Sequence, residues 1–242
     1  MADLPGASPA TKRIAIVQSS YIPWKGYFDL IGSVDEFVLF DDAQFTRRDW
    51  RNRNRIKTAD GPKWLTIPVE TKGKYGQAIK DTRISDPSWR EKHWRSLYHA
   101  YSKAPCFSWC AARIEEVYQD ASDDALSQIN YRFLTAICDI LGIDTQITWS
   151  MDYAGTGRKS ERLLDICGQA GATEYLSGPS ARAYLDESLF EEASVDVIWM
   201  EYDGYPEYDQ LHPPFEHHVT ALDLIFHTGT NAPDHMLSGS TR

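Results

Sequence analysis

Residues 13–41 read RIAIVQSSYIPWKGYFDLIGSVDEFVLFD, and this stretch decides the fold class. Arg13–Gln18 is a short apolar run of strand length. Pro23 and Gly26 punctuate the loop after it. Tyr27, Phe28, Leu30, Ile31 and Val34 then recur at helical spacing. Glu36–Asp41 is a second apolar strand. Strand, short helix and strand make a βαβ unit, so the two strands are expected to be parallel.

Outward from this unit the alternation continues. Lys63–Val69 is β-rich and is expected to pair with Ala78–Ile84 across the turn KGKYGQ. Asp86-Pro87 is a helix start, followed by the stripe Trp89, Trp94, Leu97, Tyr98 and Tyr101. A second helix is expected over about 109–119. Ser122 is expected to cap a third, with the stripe Leu126, Ile129, Phe133, Ile137, Ile140 and Leu141, ended by Gly142. Gln146–Trp149, Glu174–Leu176 and Val195–Trp199 read as strands. Helices are expected at 160–170, near 181–186 and at Thr220–His227. The expected fold is therefore α/β, a mainly parallel, Rossmann-like sheet flanked by helices. The 86–141 helices form an insertion or cap. Residues 1–12 read as a flexible lead-in and 13–238 as a single domain.

The chain has 242 residues and a formal net charge of −10. Such a balance disfavours generic binding to long nucleic acid or anionic membranes. Residues 45–57, FTRRDWRNRNRIK, carry +5 against −15 for the remainder. A basic island on an acidic body suits a small anionic partner such as a nucleotide or sugar nucleotide. No run of about 18 apolar residues exists, so no membrane span is expected. The start MADLPGASPATKR lacks the apolar stretch of a secretory signal, which makes the cytoplasm the expected compartment. Cys106 and Cys110 lack a second ligand pair, and His212, His217, His218, His227 and His235 form no metal motif, so no metal site is expected. No P-loop, nucleophile elbow or G-x-G-x-x-G fingerprint occurs.

Two constellations sit where the first two strands end, the edge at which parallel α/β sheets bind ligands. In the first, Gln18 and Lys25 flank Tyr21, Trp24 and Tyr27, and Gly26 would let backbone amides approach an anion at the helix start. The alternative is that the three rings are core filler. In the second, Asp41 and Asp42 end a strand, and adjacent strand residues point to opposite faces, so one of them is expected in the site. Arg47, Arg51, Arg53 and Lys57 offer grips for phosphate or carboxylate. Gln44, Asn52 and Asn54 add neutral hydrogen bonds, and Trp50 a stacking plane. Arg51 and Arg53, two apart, are expected to share a face as one clamp. Further on, Lys159 and Ser160 begin a helix, and Gly178 and Ser180 lie in another strand-to-helix turn, making a second possible anion contact.

The segments IAIVQSSYIPWKGYFDLI, DEFVLFDDAQFTRRDWRNRNRIK, KWLTIPV, RKSERLLDICGQAGATEYLSGPSARAYLD, EYDGYPEYDQ and ALDLIFHTGT together resemble the WbqC-like protein family. The likeness runs from about Arg13 to Met236. It departs at His227, where that family more often has Asn. The resemblance implies a bacterial protein associated with surface-polysaccharide, O-antigen or sugar-nucleotide gene sets. The expected activity is a transferase or ligase joining an amino-acid or acyl group and a nucleotide-linked sugar. Asp42, Lys25 and Gln18 are its expected catalytic residues, and a nucleotide with Mg²⁺ the candidate cofactor. The alternatives are a non-catalytic binding module of the same pathway and a ring-lined sugar or lipid-carrier binder.

Overall fold

The computed structural model describes residues 11–121, 124–155 and 157–238. The strands are β1 (Arg13–Val17), β2 (Glu36–Leu39), β3 (Arg53–Thr58), β4 (Gly61–Thr66), β5 (Gln146–Trp149), β6 (Glu174–Ser177) and β7 (Asp196–Trp199). Five of them form one parallel sheet in the order β5-β2-β1-β6-β7. The chain builds outward from β1 through β2 to β5, then crosses to lay β6 and β7 on the other side of β1. The order therefore reverses between β1 and β6, and a doubly wound sheet opens a crevice at such a point.

The helices are α1 (Lys25–Gly32), α2 (Trp89–Tyr101), α3 (Phe107–Asp120), α4 (Leu126–Leu141), α5 (Ser160–Ala170), α6 (Glu187–Glu192) and α7 (Ala221–Thr228). Side chains alternate across the strands. Ala15, Phe37 and Leu39 pack with α1, α2, α3, α4 and α7 on one face. Ile14, Ile16 and Val38 pack with α5 and α6 on the other. Cover on both faces explains why the strands are apolar runs. The helices of 86–141 enter between β2 and β5 and bury Trp89, Leu97, Ile114 and Phe133 in the same core as α1. Gly142 closes α4 with φ +69°, a left-handed cap that a side chain would resist. Thr220 caps α7 by accepting from the Leu222 N–H at 3.3 Å.

Three local expectations fail. The end of the basic island, given no strand in the sequence reading, is one: Arg53–Thr58 is β3, paired antiparallel with β4 around Ala59 and Asp60. Gly61 takes φ +97° at this turn. A two-residue loop closes cheaply, so β4 pairs backward along the chain. Of its expected pairing with 78–84, only the bridge Val69↔Ile84 remains. Near 181–186 the chain makes a 3₁₀ turn at Pro179–Ala183, and α6 starts only at Glu187. Ser122 and residues 1–10 lie outside the described residues. Lys12, read as lead-in, is anchored: its Nζ donates to Glu36 and to the Ala170 carbonyl, both at 2.8 Å. Among the described residues no helix is long and apolar enough to cross a membrane.

Candidate functional site

The loop from Gln18 to Trp24 leaves β1 at the switch point and is held from below. The buried Asp41 carboxylate accepts the Ser19 N–H at 2.8 Å and the Ser127 hydroxyl. Asn130 donates to Ser19 Oγ and to the Arg51 carbonyl, both at 2.9 Å. Asn54 donates to the carbonyls of Tyr21 (3.1 Å) and Ile22 (3.0 Å). Ile22 sits at φ +36°, a conformation that a β-branched residue keeps only when its surroundings impose it. Burial pushes the Asp41 carboxyl above its ordinary range, while the hydrogen bonds from Ser127 and Ser19 pull it back.

Above this frame lies a cavity of about 660 Å³, within the size range of small-molecule sites. Gln18 and Ser20 from the end of β1 form one wall, and Ser177, Gly178 and Ser180 from the end of β6 form the other. Trp24, Tyr27, Trp50 and Asn54 also face it. Among the described residues, Arg51 and Lys159 are the Arg and Lys of the wall, and no Asp or Glu lines it. Arg51 is 13% exposed, lies 3.6 Å from Asp49 and donates to the carbonyls of Gln18 (2.8 Å) and Ser19 (3.2 Å). Lys159 is the N-cap of α5, and its side chain makes no capping hydrogen bond. The positive end of the α5 dipole thus adds to the two cations.

Gly26 has a different role from the one expected. The Trp24 indole lies across it, so an added Cβ would overlap the ring. The same indole meets Tyr202 and stacks on His218, with centroids 5.2 and 5.4 Å away. Both partners line the cavity and come from the irregular segment 201–219. Arg55 fastens that segment by donating to the His218 carbonyl at 2.7 Å, with Glu216 3.8 Å away.

The remaining expected site residues stand elsewhere. Tyr21 is core: its hydroxyl meets His93 Nδ1 at 2.9 Å and the Tyr118 hydroxyl at 2.6 Å. Lys25 is buried, donates to the Pro206 carbonyl at 3.0 Å, and lies over the Tyr205 and Tyr208 rings. Burial lowers its pKa to about 8. Neither aspartate lines the cavity. Asp41 supports the loop, and Asp42 accepts from Ser150 Oγ at 2.7 Å, with Arg162 3.8 Å away. Asn52 holds the Ile67 carbonyl, and Lys57 reaches Gln210 and the Pro214 carbonyl. Gln44 is exposed and donates to the Tyr75 carbonyl. Ser160 accepts the Asp186 N–H at 3.0 Å instead of capping α5. Arg47 and Arg53 line a separate concavity, so Arg51 and Arg53 do not form one clamp. The chain turns into β3 only at Arg53, and the two-residue periodicity of a strand does not yet hold at Arg51.

The sequence reading missed Tyr202, Ser177, Tyr184 and His218 as cavity residues. It weighed His218 only as a metal ligand. Ser177 had a signal, since it ends a strand beside the switch point. Tyr202 and His218 had none, because their segment carries no periodicity. Among the described residues no three His, Cys, Asp or Glu cluster closely enough to hold a metal ion.

Comparison with known proteins accords with this geometry at the level of family. The chain is 51% identical over 225 residues to a protein of Mycobacterium tuberculosis (strain ATCC 25618 / H37Rv) named "Uncharacterized protein Rv1507c", covering 93% of this chain and 97% of the relative. No solved structure matches the chain. The model of the WbqC-like protein family matches residues 18–235, a span that holds the switch-point loop, the hairpin and every wall of the cavity but the last residues of β1, and the chain belongs to that family.

Proposed function

We propose that the switch-point cavity binds a nucleotide-linked sugar for a transferase or ligase step that joins it to an amino-acid or acyl group, in bacterial surface-polysaccharide metabolism. One observation carries the reading: a cavity at the strand-order reversal presents Arg51 and Lys159 and, among the described residues, no carboxylate, on a chain of charge −10. Arg51 and Lys159 would hold phosphate oxygens. Trp24 and Trp50 would take a base or sugar ring, and Gln18, Ser20 and Ser177 its hydroxyl and carbonyl groups. Among the described residues the wall has no carboxylate with which to ligate Mg²⁺, so a metal would enter on the ligand's phosphates.

A second reading, a non-catalytic binding module of the same pathway, is favoured by one specific fact. Of the three expected catalytic groups only Gln18 lines the cavity; Asp42 and Lys25 do not. The test is a thermal-shift screen of nucleotides, nucleotide sugars and amino acids on the wild type and on Arg51→Gln. A ligand of the folded state raises Tm by mass action. The reading expects phosphorylated ligands to raise Tm in the wild type, less so in the variant and less in high salt. A rise with neutral sugars alone would overturn it. Turnover with the hits separates enzyme from binding module.

A further inference from the structure

The outer side of the β3–β4 hairpin carries a shallow concavity of about 230 Å³, apart from the switch-point cavity. Arg47, Arg48 and Arg53 line it together with Thr66 and Thr71, and among the described residues no carboxylate does. Among the described residues, none of the three arginines is within 4 Å of an acidic oxygen. Asp49, next in the chain, is turned away: it accepts from Thr46 Oγ1 at 2.6 Å and from the Trp50 N–H at 2.7 Å.

Three unneutralised guanidinium groups around one hollow repel each other unless an anion joins them. Two of them are already fixed in place. Arg47 donates to the Thr71 carbonyl at 2.9 Å, and Arg53 donates to the Arg48 carbonyl while lying 4.1 Å over the Trp64 ring. Arg48 itself stands at φ +60°, an unfavourable backbone state for a residue with a side chain. Two polar atoms of the lining residues are left unpartnered. Arg53 Nε, a donor, and Asn52 Oδ1, an acceptor, are both buried with no protein partner.

We propose that Arg47, Arg48 and Arg53 form a second oxyanion site, which takes the phosphoryl group of a small phosphorylated compound. Phosphoryl binding here stands on the arginine geometry alone. The two sites adjoin through rings: Trp50 lines the switch-point cavity and lies 5.3 Å from Trp64, which carries Arg53.

The test is calorimetric titration of the full chain with inorganic pyrophosphate, on wild type, Arg51→Gln and the double variant Arg48→Gln/Arg53→Gln, with Tm measured for each. The wild type is expected to show two sites. The double variant should lose one, weakened at least about tenfold, the scale of a lost charge-assisted contact, and keep the other; Arg51→Gln should do the reverse. If the double variant binds like wild type, the second site is overturned while the switch-point reading stands. If Arg51→Gln alone leaves both sites intact, that reading fails and the second site stands. Should the double variant not fold, Arg53→Lys keeps the charge but loses the planar fork; it should weaken the same site, and unchanged affinity overturns the proposal. Co-sedimentation with phosphatidate vesicles tests a lipid source. Wild type that pellets while pyrophosphate gives no heat overturns the small-molecule assignment.

Discussion

The signature stretch from Gln18 to Lys57 contains two kinds of polar residue that look alike in sequence and differ in the fold. One group is buried and holds backbone away from the cavity: Lys25, Asp41, Asn52 and Lys57 are each less than a tenth exposed and each bonds a main-chain group. The other group, Gln18, Trp50 and Arg51, opens on the cavity. A strand-end loop bent through Ile22 at positive φ leaves many backbone groups without ladder partners, and side chains must satisfy them. Much of the polarity of the motif is therefore spent on shaping the loop, and a smaller part is left to meet a ligand.

The largest effect should come from the buried group. Asp41→Ala leaves the Ser19 N–H and the Ser127 hydroxyl without their acceptor. Unsatisfied buried groups cost about 1–3 kcal/mol each, so a loss of about 3 kcal/mol is expected from urea unfolding. Asp41→Asn retains one acceptor oxygen and removes a charge that burial disfavours, so it should cost clearly less. Equal losses for the two variants would mean that the negative charge of Asp41, more than its hydrogen bonds, holds the loop.

Lys25 sharpens the comparison through pH. Its folded pKa is lowered from 10.5 to about 8 by burial. Below pH 8 both states carry the proton, and the native state bears the full cost of a buried ammonium. Between pH 8 and 10.5 the folded protein has released a proton that the unfolded chain still binds, so stability rises with pH. Relative to Lys25→Met, the wild type should therefore gain about 2–3 kcal/mol across that window. A flat difference would mean that the Pro206 carbonyl and the rings of Tyr205 and Tyr208 keep the ammonium charged throughout.

Arg51 belongs to both groups, and here the structure revises a simple expectation. An exposed arginine contributes little to stability, but Arg51 is 13% exposed and bonds two carbonyls of the loop. Arg51→Lys keeps the charge and loses the fork. It should weaken phosphorylated ligands by about 1–2 kcal/mol and also lower folding stability by about 1 kcal/mol. Loss of affinity with stability intact would place Arg51 wholly in the open group; the reverse would remove it from the site.

The range of the contacts decides which parts of the molecule were legible in sequence. β1, α1 and β2 could be read because a strand covered on both faces must be apolar along its length. α4 could be read because its stripe faces one core and Gly142 marks its end. β3 escaped notice because RNRIKT is charged at every second position, although the Asp60-Gly61 step beside it is a hairpin signal. The sorting of polar residues was not legible. Asp41 is buried by Ser127, 86 residues on, and Ser19 is held by Asn130, 111 residues on. No local pattern records such partners.

Asp42 gives the smallest expected effect and the strictest test of the division between holding and binding residues. By sequence it is the better base: it follows a strand at the ligand edge, beside a basic loop. In the fold its carboxylate is exposed, accepts from Ser150 Oγ and stands 3.8 Å from Arg162, and it does not line the cavity. Arg162 does not depend on it, since the same guanidinium also donates to the carbonyls of Ser150 and Tyr153 and to Asp165. Asp42→Asn keeps the oxygen that Ser150 needs and removes only the charge. Stability should change by less than about 0.5 kcal/mol, as for surface substitutions generally, and the affinity of any phosphorylated ligand found in the thermal-shift screen should not change. Affinity that rises on this substitution would mean that Asp42 repels the bound anion at close range. Turnover that collapses while affinity holds would mean that the loop after β2 swings Asp42 into the cavity once ligand is bound, and the division drawn from the free protein would then have to be redrawn around that motion.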